Sequence, residues 1–202
     1  MTTKCTTVNL YESLTFCKGE TTLPGLRPKA YFMPKSLIDT FPTLAKPGDK
    51  DATMASIATY KGDFALAADA KWRRIDLLAT ASNVKAESQG DEPSKTFNNT
   101  ATIKYAGVGP DATGFCRMAN SDDIVYAIQQ RDGQWRIVGN EMFETNTKPS
   151  QDSGMSVTDA SGTTLEITVT DVCPSPYYVG KLVTEDGTID CATGEVEVAV
   201  GG

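Results

Sequence analysis

The side chains available for chemistry in this chain are carboxylates, amines, hydroxyls and thiols, because none of its 202 residues is histidine. That removes the commonest general base, the Ser-His and Cys-His nucleophile pairs and the commonest metal ligand together. No GxSxG, Walker loop or GxGxxG occurs, and "GVGPDATGF", the nearest approach to a phosphate loop, lacks the lysine. It reads instead as a Gly-Pro entry to a helix. Asp122 and Asp123 are adjacent acids, but neighbours on a strand face opposite ways, whereas glycoside cleavage needs two carboxyl groups facing across a substrate. "DGTIDCATGEVE" and "DKDATMASIATY" open like calcium loops, yet neither combines a glycine at the sixth position with a glutamate at the twelfth. Five cysteines (Cys5, Cys17, Cys116, Cys173, Cys191) include no CxxC pair, so reduced structural thiols are expected and a zinc knuckle is not. The expectation is a non-enzymatic protein with no cofactor and no metal, whose work is done by surfaces.

The elements that would position such surfaces are mostly strands. "TTLEITVTDV" alternates Leu165, Ile167 and Val169 against Glu166, Thr168 and Thr170, and "NNTATIKYAG" sets Ala101, Ile103 and Tyr105 against Thr102 and Lys104. "DFALAADAKWRRIDLLAT" reads as two strands, residues 64–68 and 72–80, joined tightly through Asp69, Ala70 and Lys71. "AYFMP", "NVKAES", "MSVTD", "YYVGKLVTEDGTIDC" and "EVEVAV" are further candidates. One helix has a mechanism: after Gly109-Pro110, Asp111 is placed to cap a segment whose apolar residues Ala112, Phe115, Cys116 and Ala119 follow helical spacing. "KSLIDTF" suggests a short turn, and residues 145–154 ("TNTKPSQDSG") a polar loop. Trp72 and Trp135 both fall on expected core faces.

"IVYAIQQRDGQWRIVGN" carries the strongest local signal. Asp132-Gly133 between apolar runs predicts a two-residue hairpin turn that pairs Ile128 with Ile137 and Ala127 with Val138. In that register one face reads Trp135, Ile128, Ile137 and Tyr126, a core face. The other is apolar at its far end, where Val125, Ala127 and Val138 need cover from the chain's helix or from a neighbouring subunit. A second candidate contact is the long segment of residues 42–59. Lys46, Asp49, Lys50 and Asp51 make it hydrophilic, while Met54 and Ile57 give it an apolar side to bury on assembly.

Hydrophobic residues make up 40% of the chain, enough for one substantial domain, and the formal charge of −7 argues against a protein that neutralises phosphates. No apolar run approaches the roughly 20 residues of a membrane span, and the N-terminus lacks the apolar core of a signal peptide, so no membrane and a cytosolic site of synthesis are expected.

The order of these segments carries a resemblance. A strand-rich chain with "W..IDL", then "KAESQGDEPSKTFNNTATIKYAG", one Gly-Pro-led helix, "DDIVYAIQQRDGQWRIVGNEMFET" and "DSGMSVTDASGTTLEITVTDVCPSPYY" resembles the major tail tube proteins of long-tailed bacteriophages over residues 29–180. The inner-tube subunits of contractile injection systems and type VI secretion are similar to these. The resemblance implies a mainly β fold, with β-sandwich or barrel-forming sheets and one flanking α-helix. It implies a single domain over residues 1–202, with a core at 29–180, an N-terminal arm at 1–28 and a C-terminal extension at 181–202. It further implies six-fold rings stacked into a tube, in a virion tail assembled in the host bacterial cytoplasm. The implied partners are further copies of the chain and the tape measure, tail tip and terminator proteins, with DNA only as transiting cargo. If paired strands line the channel, Asp76 and Glu166 are candidates to make the lumen acidic. Other readings are a head decoration or connector protein, an adhesin or carbohydrate-binding sandwich outside viruses, and an unrecognised hydrolase.

Overall fold

The computed structural model describes residues 9–198; Cys5 and the final residues of "EVEVAV" lie outside them. In chain order the strands are β1 (Leu26–Pro34), β2 (Ile38–Thr40), β3 (Thr43–Leu44), β4 (Thr59–Lys61), β5 (Ala65–Leu66), β6 (Arg73–Asp76), β7 (Asn83–Gln89) and β8 (Thr96–Ala106). After the helix α1 (Pro110–Ala119) come β9 (Ile124–Gln130), β10 (Trp135–Val138), β11 (Asn146–Asp152), β12 (Gly162–Asp171), β13 (Tyr177–Tyr178), β14 (Lys181–Thr184), β15 (Gly187–Asp190) and β16 (Val196–Glu197). The fold is mainly β, as expected, with a single α-helix among the described residues.

A seven-stranded sheet, β3-β4-β13-β10-β9-β1-β6, is the middle layer. One of its faces buries Ile124, Tyr126, Ile128 and Val138 against Ala101, Ile103, Leu165, Ile167 and Val169 of a four-stranded antiparallel sheet, β11-β12-β8-β7. Its other face buries Tyr31, Met33, Val125, Ala127, Trp135 and Ile137 against Phe64, Trp72, Leu182, Ile189 and Cys191. Strand β9 is therefore buried on both sides, which is why it reads as the unbroken run "IVYAI". Both tryptophans are core residues, each 1% exposed.

The hairpin differs from the expected one by a single residue. Gly133, at φ +100, ends a three-residue loop in which its N–H donates to the Gln130 carbonyl at 3.0 Å. Such a loop adds a residue to one side of the turn. Trp135 therefore pairs with Gln129, Ile137 with Ala127 and Val138 with Tyr126. A one-residue slip exchanges faces, so Trp135 and Ile137 join Val125 and Ala127, while Val138 joins Tyr126 and Ile128. Gly139, at φ +123, follows the last residue of β10, where an added Cβ would meet the Val125 backbone at 3.0 Å.

Other expectations change too. Residues 64–80 do not form a two-strand unit, since β5 pairs with β2 and β6 with β1, while Trp72 bridges to Thr184. The helix is entered through Gly109 with Pro110 in its first turn, and Asp111 makes no side-chain cap bond. Residues 145–154 contain strand β11, paired along its whole length with β12. "MSVTD" forms turns rather than a strand. The C-terminal extension from residue 181 packs onto the rest of the chain, with Leu182, Ile189 and Cys191 buried in the core.

Candidate assembly surfaces

The outer face of the four-stranded sheet is built by strand alternation. β8 buries Asn99, Ala101 and Ile103, and so turns Asn98, Thr100, Thr102 and Lys104 outward. β12 likewise presents Thr164, Glu166, Thr168 and Thr170, with Glu166 and Thr168 exposed. The registers bring Asn83, Lys85 and Glu87 of β7 alongside the β8 set, and Asn146, Lys148 and Ser150 of β11 alongside the β12 set. Ala106 at the end of β8 is the one apolar side chain on this face. The charges of the face balance, with Lys85, Lys104 and Lys148 against Glu87, Glu166 and Asp152. Gln89 ties the face together by donating to Thr96 Oγ1 at 3.2 Å and Thr170 Oγ1 at 3.1 Å.

The two outer strands of this sheet lack a second strand partner, although α1 lies beside the far end of β11, where Thr113 Oγ1 donates to Gln151 Oε1 at 3.1 Å. β7 is paired only with β8, and β11 only with β12. An unpaired edge is a row of N–H and C=O groups ready to accept another strand. Pro149 removes one donor from the β11 edge.

The expected contact segment, residues 42–59, is closed at its base by the chain itself. Thr43 and Leu44 pair with Lys61 and Tyr60, and Leu44 packs on the core. A turn follows in which Asp49 Oδ2 accepts the Lys46 N–H at 2.8 Å, and Thr53 and Ser56 exchange hydrogen bonds before a 3-10 turn at Ser56–Ala58. Lys46, Asp49, Lys50 and Asp51 are exposed, and Met54 and Ile57 are half-buried. These residues form one surface at the β3–β4 end of the seven-stranded sheet.

The other candidates are dispersed. Val125, Ala127 and Val138 are each 0% exposed, so they are not contact residues of a free surface. The reason is physical: both faces of β9 and β10 are covered by the chain's own layers, Val138 by the four-stranded sheet and Val125 and Ala127 by the opposite core. Of the two lumen candidates, Glu166 stands on the polar face. Asp76 does not; it belongs to β6 of the other sheet, where Arg74 donates to its Oδ1 at 2.7 Å. That bond is the main reason the Arg74 guanidinium is held above its ordinary value.

Buried titratable groups serve the core. Asp171 is 1% exposed, and its Oδ1 accepts the N–H groups of Val172 at 2.6 Å and Cys173 at 3.2 Å. Burial raises its carboxyl above the ordinary range, against the lowering effect of those bonds. Burial also pushes the Cys173 thiol up to about 11, and Cys191 higher still, so both are inert thiols rather than nucleophiles. Among the described residues no three Cys, Asp or Glu side chains gather to hold a metal ion, and no helix is long and apolar enough to cross a membrane.

The fold and its surfaces thus define a layered β protein with a polar, open-edged sheet. No protein-family model matches the chain, and neither the curated proteins nor the solved structures give a match.

Proposed function

We propose that the chain is a structural subunit that self-assembles into stacked hexameric rings, a tail tube for DNA passage of the kind built by long-tailed bacteriophages. The observation that carries this reading is the four-stranded sheet, with an inner face that β8 and β12 make hydrophobic, a polar outer face broken only by Ala106, and an unpaired strand on each side. Joining β7 of one copy to β11 of the next continues the ladder. Such a contact is heterologous, so it repeats around a ring and leaves no edge when the ring closes. The outer face then lines the channel. Hydroxyl and amide groups with balanced charge give passing phosphates no net attraction, so DNA slides rather than binds.

The acidic lumen expected from Asp76 and Glu166 is replaced in this reading by a neutral, threonine-rich one. Tape measure, tip and terminator proteins are the further partners it implies, and the virion tail is its location. Negative-stain microscopy of purified protein near neutral pH tests it: rings or tubes are expected, and dispersed monomers at high concentration would overturn it.

A further inference from the structure

Residues 9–24 run without regular structure ahead of β1, and their large apolar side chains are bare: Tyr11 is 92% exposed, Leu14 89% and Phe16 80%. In an extended chain Leu10, Glu12, Leu14 and Phe16 share one side. Over Ser13–Phe16 the segment therefore has the alternation of a strand whose sheet is absent, and a cluster of exposed apolar side chains of this kind marks a contact. Where it touches its own chain, the Glu12 N–H donates to Met54 Sδ at 3.0 Å. That places it at the β3–β4 end of the seven-stranded sheet.

The opposite end of that sheet carries an unfilled trough. β6 is the terminal strand and has β1 as its only partner. Beneath it lies a cavity of about 620 Å³ lined by Phe32, Ile75, Tyr105, Phe115 and Leu165. A second cavity of about 470 Å³ shares Phe32, Arg73, Phe115 and Glu185 with the first and continues past Pro34, Leu37 and Met118. The two form one groove between the β6 edge and α1, floored by the Phe32–Phe115 edge-to-face pair at 5.0 Å. It is apolar at the bottom, charged at the rim and bordered by the β6 edge, which β14 meets at Trp72 and which has no strand partner beyond it, and this suits an extended apolar segment. Arg73 on the rim is only loosely held, 3.9 Å from Glu185, and can take a carboxylate such as Glu12.

The geometry points to insertion of residues 10–16 of one copy into the trough of a second copy, with Leu14 and Phe16 over Phe32 and Phe115. The occupant is another copy because the chain's own segment lies at the far end of the same sheet. A donor at one end and an acceptor at the other make a head-to-tail contact, which propagates as a stack. Tyr105 and Thr163 mark the trough end of β8 and β12, and β12 ends at Asp171, six residues before Tyr177 of β13, which pairs with Thr59 of β4 at the donor end. The contact therefore runs along those strands and leaves the β7 and β11 edges free for ring closure. The inference rests on the self-assembly reading and assigns the contact between successive rings to this segment.

The test uses the full chain in two forms. Leu14→Asp with Phe16→Asp alters exposed side chains, so melting should be unchanged while the apparent association constant for tube growth falls by more than about tenfold. Met118→Cys, in a background with Cys5→Ser and Cys116→Ser, should be joined to native Cys17 of another copy by a bismaleimide. Dimers and longer ladders are expected on a denaturing gel, and none when Cys17→Ser is added. Tubes that grow normally with both aspartates, or assembled material that gives no such ladder, would overturn the docking and leave self-assembly intact. Unmodified protein that stays monomeric would overturn both.

Discussion

Lys148 and Glu166 stand directly opposite each other on the outer face of the β11–β12 pair, one charge of each sign at the centre of a polar sheet. The pair contributes little to stability, because exposed cross-strand charges are worth about 0.2–1 kcal/mol. Its interest is in the balance of charge it keeps on the proposed channel wall.

Glu166→Lys should leave folding within about 1 kcal/mol of the unmodified protein and leave assembly unchanged. Each subunit would then gain two units of positive charge on that face. Tubes should retain double-stranded DNA at low salt and release it as salt rises. Co-sedimentation with DNA across a salt series checks this; DNA retention no greater than that of unmodified tubes would mean Glu166 does not face the channel.

Val138→Asp should unfold the protein outright. The side chain is 0% exposed and covered by Ile167, Val169 and their neighbours, so an unpaired carboxylate there costs several kcal/mol against a total stability of about 5–15 kcal/mol. Trp135→Ala, on the opposite core, should cost about 3–5 kcal/mol. Thermal melting by circular dichroism measures both. A soluble Val138→Asp monomer with an ordinary cooperative melt would return this residue to an interface between copies.

Deleting residues 46–55 removes an excursion whose base, Thr43-Leu44 on Tyr60-Lys61, stays with the sheet. A folded protein with a normal melt is expected, together with loss of polymerisation, read by light scattering. Tubes of normal length from the deletion would show that this surface makes no contact in the assembly.

Asp171 gives a pH dependence whose sign follows from its raised carboxyl. The folded state holds the proton more tightly than the unfolded chain, so the stability it contributes is complete below the unfolded value near 3.8 and is lost as pH rises through the folded value. Asp171→Asn keeps an acceptor for the Val172 and Cys173 N–H groups and removes the titration. Urea denaturation across that acid window should show a flatter pH profile for the variant; an unchanged slope would mean that Asp171 ionises freely in the fold.

Where burial is one-sided, the sequence carried the fold. β12 was legible because Leu165, Ile167 and Val169 alternate with polar residues, and α1 because Pro110 opens a helical spacing. β11 was not, since "NTKPSQD" has no apolar alternation and owes its strand form to pairing with β12. The hairpin register escaped because Asp132-Gly133 suits a three-residue loop as well as a two-residue turn, and β9, buried on both faces, has no alternation to fix the choice. Val138 was thereby grouped with Val125 and Ala127 on a face needing cover from the helix or a neighbouring subunit, and that cover is the chain's own core on each side. Leu10, Leu14 and Phe16 drew no reading from the sequence, because the groove proposed for them is formed by residues distant in sequence.

The central claim is that the polar face of the β11-β12-β8-β7 sheet lines a channel closed by β7–β11 pairing between copies. Electron cryo-microscopy of assembled protein at side-chain resolution tests it directly. The account predicts Thr102, Lys104, Glu166 and Thr168 on the inner wall of a ring, with continuous strand pairing from Asn83–Gln89 of one copy to Asn146–Asp152 of the next. The same face found on the outside of the particle, or rings joined through other strands, would contradict it.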